Sequence, residues 1–109
     1  MDLNSYQAAA RRTAIYPNLG QNITYPTLGL CGEAGEVAEK IKKILRDQEG
    51  KIGPDERAGL LLELGDVLWY ISQLASELGL PLQKVAQANL DKLAGRAQRD
   101  RLGGSGDNR

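Results

Sequence analysis

The chain contains no histidine, and no other absence in its composition removes as much chemistry. Ser-His-Asp and Cys-His catalysis, HExxH zinc sites and imidazole general bases are all excluded. Cysteine occurs once, as Cys31, so no internal disulfide can form, which fits a reducing cytoplasm. With no imidazole to activate it, Cys31 reads as a small buried apolar side chain rather than a nucleophile. Net charge is missing as well: 14 basic and 14 acidic residues cancel, leaving no global field to draw the protein to nucleic acid or membrane. No apolar run approaches the roughly 20 residues needed to cross a bilayer. The N-terminal MDLNSYQAAARR lacks the apolar core of a signal peptide. Period-two alternation, internal repeats and a GxGxxG fingerprint are all absent. An enzyme built from this chain must therefore work with carboxylates, lysines, tyrosines or a metal ion.

What is present is helical periodicity. A chain of 109 residues has room for one small core. A first helix is predicted from about Leu3 to Ile15, broken by Tyr16-Pro17-Asn18-Leu19-Gly20. A second starts near Thr24 to Thr27, tolerates Pro26 in its first turn, and runs to about Arg46. Leu30, Ala34, Val37, Ala38, Ile41, Ile44 and Leu45 give it an apolar stripe. The loop Gln48 to Pro54 leads to a third helix from about Pro54 to Leu78, with Asp55 and Glu56 in its first turn, where they favour the helix dipole. Its apolar positions are Leu61, Leu64, Leu68, Ile71, Ala75 and Leu78. Gly79-Leu80-Pro81 opens a fourth helix through roughly Arg96. The expected fold is all-α and four-helix bundle-like over residues 1–102, with a Gly-rich flexible tail at 103–109. Leu60 to Leu62 and Val67-Leu68-Trp69 cover more than one helix face, so part of this surface is expected to pack on another copy of the chain.

Four acidic residues interrupt the apolar sequence as two similar pairs. Glu33 and Glu36 lie in GEAGEVAEK, and Glu63 and Asp66 in LLLELGDVLWY. The i, i+3 spacing puts each pair on one side of its helix. An unpartnered carboxylate is costly to bury in such a setting. If the pairs face each other, they make an all-oxygen pocket of formal charge about −4, suited to hard divalent cations and above all to Mg²⁺, with Mn²⁺ as a substitute. On the same stripe follow Lys40 and Lys43, either phosphate contacts or members of an ordinary ladder from Glu36 to Lys40 and from Glu39 to Lys43. Continuing the acidic face of the third helix gives Tyr70 and Gln73. Tyr70 either touches a sugar or base or belongs to the core or an interface, and Trp69 is assigned to packing. On the fourth helix Asn89, Lys92 and Arg96 share a face, which reads as basic and solvated or as aimed at a ligand.

Taken together, GLCGEAGEVAEKIKK, ELGDVLWYISQLASELG and VAQANLDKLAGR resemble the MazG-like all-α nucleoside triphosphate pyrophosphohydrolases, over about Tyr25 to Arg109. The resemblance implies Mg²⁺-dependent cleavage of (deoxy)nucleoside triphosphates to nucleoside monophosphate and pyrophosphate, in a nucleotide-pool housekeeping role. It implies a homodimer or dimer of dimers with sites near the subunit interface. By motif, Glu33, Glu36, Glu63 and Asp66 correspond to metal ligands and the catalytic carboxylates. Tyr70 and Asn89 correspond to nucleoside-side positions, and Lys43, Lys92 and Arg96 to phosphate-side positions. One departure stands out: where many relatives carry a further Glu before the first motif acid, this chain has Gly32.

Two rival readings differ in class. One is a helical dimerisation module of the same fold without turnover; the other is a metal-binding or nucleotide-sensing regulatory protein. Four clustered acids argue for the enzyme. The Gly103 to Gly106 stretch ahead of Asp107-Asn108-Arg109 allows the tail to close over a bound substrate, with Arg109 near phosphate and Asp107 near base, sugar or water, or to remain a frayed end.

Overall fold

In a computed structural model of the protein, described for residues 1–98, four helices follow one another: α1 Leu3–Arg11, α2 Thr24–Gln48, α3 Pro54–Glu77 and α4 Leu82–Gln98. No strand occurs among the described residues. The proposed tail contacts of Asp107 and Arg109 lie outside them. None of these helices is long and apolar enough to cross a membrane.

α2 and α3 form the central hairpin. The last turn of α2 is closed by Glu49 and Gly50, both at positive φ (54° and 76°), with the Gly50 amide donating to the Ile44 carbonyl at 3.2 Å. Five residues later α3 begins with Pro54, where a missing N–H costs nothing, and the Glu56 carboxylate reaches back to the Gly53 amide at 2.8 Å. Ile44 lies beside Leu60, Lys40 beside Glu63, and Gly29 beneath Tyr70, so the two helices run antiparallel. This register brings the two acidic motifs opposite each other.

α1 is shorter than expected. It stops at Arg11 instead of Ile15, because Thr13 and Ala14 turn back onto the Ala10 and Arg11 carbonyls (3.0 and 3.1 Å). Its N-cap is Asp2, whose carboxylate accepts from the Ser5 amide at 2.7 Å. α1 also caps α4: Gln7 Oε1 accepts the Leu82 amide at 2.7 Å and Asn4 Oδ1 accepts the Gln83 amide at 3.0 Å, two of the amides a helix start leaves unpaired. α4 therefore packs on α1 and α3 and not on α2.

The core is thin. Among the described residues its buried apolar members are Ala10, Ala14, Tyr16, Ile44, Ala75 and Leu82. Of the stripes predicted for α2 and α3, Ala34, Ala38, Leu45, Leu61, Leu64 and Leu78 are exposed, with Leu61 at 68%. Cys31 is exposed too, which corrects the expectation of a buried thiol: its side chain lies on the solvent side of α2.

Candidate metal centre and the hub behind it

Carboxylate oxygens of Glu33, Glu63 and Asp66 lie within 4.8 Å of one another across the α2–α3 seam. Glu33 and Glu63 are half-buried and Asp66 is exposed. Glu36, the fourth motif acid, is exposed and stands outside this trio, although its charge acts on Glu33. The Glu33 carboxyl is held above its ordinary range, first by desolvation, then by the charges of Asp66, Glu63 and Glu36, and by a carboxyl–carboxylate hydrogen bond with Glu63. Such crowding is what a hard cation would relieve. Two oxygens on opposite sides of one Mg²⁺ sit about 4.2 Å apart, and on one Ca²⁺ about 4.8 Å. A trio of carboxylate oxygens this close is a donor set that would suit a hard divalent ion.

Lys40 does not pair with Glu36 on its own helix. It reaches across the seam, Nζ to Glu63 Oε1 at 3.7 Å. Lys43 does follow the ladder, 4.0 Å from Glu39, while Lys42 lies 3.0 Å from the same carboxylate. Tyr70, one turn beyond Asp66, packs directly on Gly29, and a Cβ built there would fall inside its ring. Its hydroxyl is pushed up by burial, by Tyr25 and by the Glu33 charge, which places the phenol within electrostatic reach of the cluster.

Asn89, Lys92 and Arg96 stand on α4, which packs on α1 and α3. Asn89 and Lys92 are exposed and line a groove of about 480 Å³ with Leu80, Lys84, Val85 and Ala88. Arg96 is 3% exposed, so its side chain is part of the packing of α4. The three share a helix face as predicted, but their exposure differs along it: Asn89 and Lys92 are open to solvent and Arg96 is buried.

A second carboxylate centre went unread in the sequence. Glu77, in the last turn of α3, accepts from Arg11 (2.7 Å), the Tyr16 hydroxyl (2.7 Å) and the backbone amides of Gly20 (2.9 Å) and Asn22 (2.6 Å). Its side chain is fully buried. Burial alone would raise its pKa, but the Asn22 amide, Tyr16, Arg11 and the Gly20 amide outweigh it and hold the group at about 2. Arg11 also donates to Gln73 at 2.9 Å and to Tyr16 at 2.7 Å. Together these bonds fasten the 12–23 loop, and Tyr16 stacks on Tyr25 with centroids 4.8 Å apart. Tyr25 in turn lies 6.5 Å from Tyr70. From the other side Trp69 Nε1 donates to Thr13 at 2.9 Å. The sequence did hold a clue: a Glu in the last turn of a helix opposes the dipole and requires a compensating partner.

An all-helical hairpin carrying facing ExxE and ExxD motifs agrees with what family comparison finds. Residues 21–99 match the MazG nucleotide pyrophosphohydrolase domain, and the chain belongs to that family. Over its whole length it is 51% identical to the Gene 37 protein of Mycobacterium phage L5, also covered in full. No solved structure matches the chain.

Proposed function

We propose that this protein is a divalent-metal-dependent nucleoside triphosphate pyrophosphohydrolase, releasing pyrophosphate and a nucleoside monophosphate. The observation that carries the reading is the approach of Glu33, Glu63 and Asp66 to within 4.8 Å in a chain of the MazG family. Glu33, Glu63 and Asp66 would hold Mg²⁺ or Mn²⁺, with Glu36 at the exposed edge as a further oxygen donor. A bound ion supplies Lewis-acid polarisation of the phosphate oxygens and offsets the charge that develops on the leaving pyrophosphate. Glu33 or Glu36 would position or deprotonate the attacking water. Lys40 and Lys43 lie along the same side of α2 and would neutralise the polyphosphate. Tyr70 would border the nucleoside.

The reading includes a homo-oligomer, a dimer or a dimer of dimers. Leu61, Leu62 and Leu64 on α3 and Leu28 and Leu45 on α2 are each 58–68% exposed, and Ile52, Arg57, Leu60, Leu61 and Leu64 line a shallow apolar cavity of about 400 Å³. So many large aliphatic side chains in solvent around so small a core call for a second copy as cover. In that assembly Asn89 and Lys92 are the exposed α4 groups that would border the nucleotide. Pyrophosphate release from a panel of ribo- and deoxyribonucleoside triphosphates, with Mg²⁺ and with EDTA, tests the activity. Metal-dependent release from at least one nucleotide is the expected result, and none from any would refute the enzyme in favour of a regulatory module. Light scattering tests the assembly: a monomer at micromolar concentration would refute it.

A further inference from the structure

We propose that Lys40 is the resident counter-ion of the acidic cluster, holding Glu63 in the metal-free protein and giving it up when a divalent cation binds. The proposal deepens the metal-site reading above and rests on it.

Three features point this way. Lys40 has Glu36 one turn back on its own helix, the pairing that local geometry makes easy, yet it spans the seam to Glu63. The Lys40 side chain is 43% exposed and that of Glu63 19%, so the lysine stands on the solvent side of the pair. It also has somewhere else to go. Gly59 stands one turn before Glu63, and even a Cβ built there would come no closer than 4.0 Å to the Lys40 Nζ. Beyond it opens a notch of about 170 Å³ lined by Lys40, Lys43, Ile44, Gly59 and Leu60, with Asp55 and Glu56 on its wall as alternative carboxylate neighbours.

The electrostatics then set two states. Without metal, three carboxylates repel one another, and a cation beside Glu63 offsets part of that repulsion. With metal, the Glu63 oxygen is shared with a doubly charged ion, and an ammonium beside the same oxygen is repelled. Lys40 then leaves Glu63 for the notch it already lines, where Asp55 and Glu56 are the carboxylates at hand. Metal binding and release of the lysine are thus one linked equilibrium, and removing the lysine removes a competitor.

Calorimetric titration of Mn²⁺ and of Mg²⁺ into the nucleotide-free full-length protein, with thermal melts, tests this. Lys40→Met is expected to melt lower without metal and to bind the ion about three- to tenfold more tightly. Lys40→Arg, whose fork grips a carboxylate more firmly, is expected to keep the metal-free melting point and weaken metal binding by about twofold or more. Unchanged metal affinity in Lys40→Met, with only the KM for nucleotide raised, would overturn the proposal and leave Lys40 as a phosphate contact. Equal behaviour of both variants and wild type would overturn it as well, leaving a surface ion pair of no consequence. If the wild-type protein binds neither ion, the metal-site reading itself falls, an outcome distinct from the other two.

Discussion

Two carboxylate centres lie on one face of α3, Glu63 with Asp66 near its middle and Glu77 at its end, about 21 Å apart along the axis. Positions 63, 66, 70, 73 and 77 repeat at threes and fours, the spacing usually given to an apolar seam, yet here they are Glu, Asp, Tyr, Gln and Glu. At the far end every demand of the charge is met: Glu77 is buried, takes four donors and stays ionised down to about pH 2. At the near end almost nothing is met. Glu33, Glu63 and Asp66 crowd one another, with Lys40 at 3.7 Å from Glu63, and Glu33 resists ionising. The same residue type on the same helix is structural where the fold supplies its partners, and is proposed to be functional where the fold withholds them. The unmet charge is where the proposed cation would sit.

Exchanging the charge for an amide at each centre should separate them most sharply. Glu77→Gln leaves Arg11 without its counter-charge in a buried setting and is expected to cost about 3–5 kcal/mol, a large part of a total stability of roughly 5–15 kcal/mol. Urea denaturation measures it, and a loss under ~1 kcal/mol would make the hub an ordinary surface pair. Glu63→Gln or Asp66→Asn should do the reverse: turnover falls by at least about a hundredfold, a barrier increase of ~2.7 kcal/mol. The metal-free melting point stays level or rises. Near-normal activity in both variants would remove the cluster from the chemistry.

The stripe between the centres can be tested at Gly29. Gly29→Ala drives a methyl into the Tyr70 ring, so the ring or the helix must shift; overpacking of this kind costs ~1–3 kcal/mol. If Tyr70 borders the nucleoside, KM should rise more than kcat falls. A variant with unchanged kinetics but lowered stability would confine Tyr70 to packing.

The smallest effect concerns pH, and its sign differs between the centres. Glu77 has a folded pKa below its ordinary value, so its contribution is complete above about pH 4.5 and is lost as pH falls through about 2. Glu33 is raised, so the folded state holds its proton longer than the unfolded chain does, and stability declines as pH rises out of the carboxylate range. Glu33→Gln should therefore stabilise the metal-free protein slightly at neutral pH and not at all near pH 3. A gain of the same size at both pH values would show that crowded charge is not its origin.

How much of this was legible varies element by element. α2 and α3 announced themselves because long amphipathic periodicity, Pro54 at a helix start and an acidic first turn are local signals, and their observed ends fall within two residues of those predicted. The end of α1 was misplaced because Thr13 and Ala14 are compatible with helix, and what turns the chain there is the pull of Glu77 and Trp69 on the following loop. The burial of Arg96 on α4 went unread for the same kind of reason. Nothing in residues 82–98 says that Asn4 and Gln7 will dock its first turn on α1.

The sequence by itself determined that the protein is all-helical, that it has no imidazole chemistry, and that two acidic pairs each occupy one side of a helix. All three depend only on composition and on neighbours three and four residues apart. Tertiary structure decided which of those acids meet. The antiparallel register selected Glu33, Glu63 and Asp66 and left Glu36 at the edge, sent Lys40 across the seam instead of along its helix, and buried Glu77 under a loop more than fifty residues away in sequence. A carboxylate carries the same charge in any sequence. Whether that charge is satisfied depends on donors that only a folded chain brings within 3 Å of it.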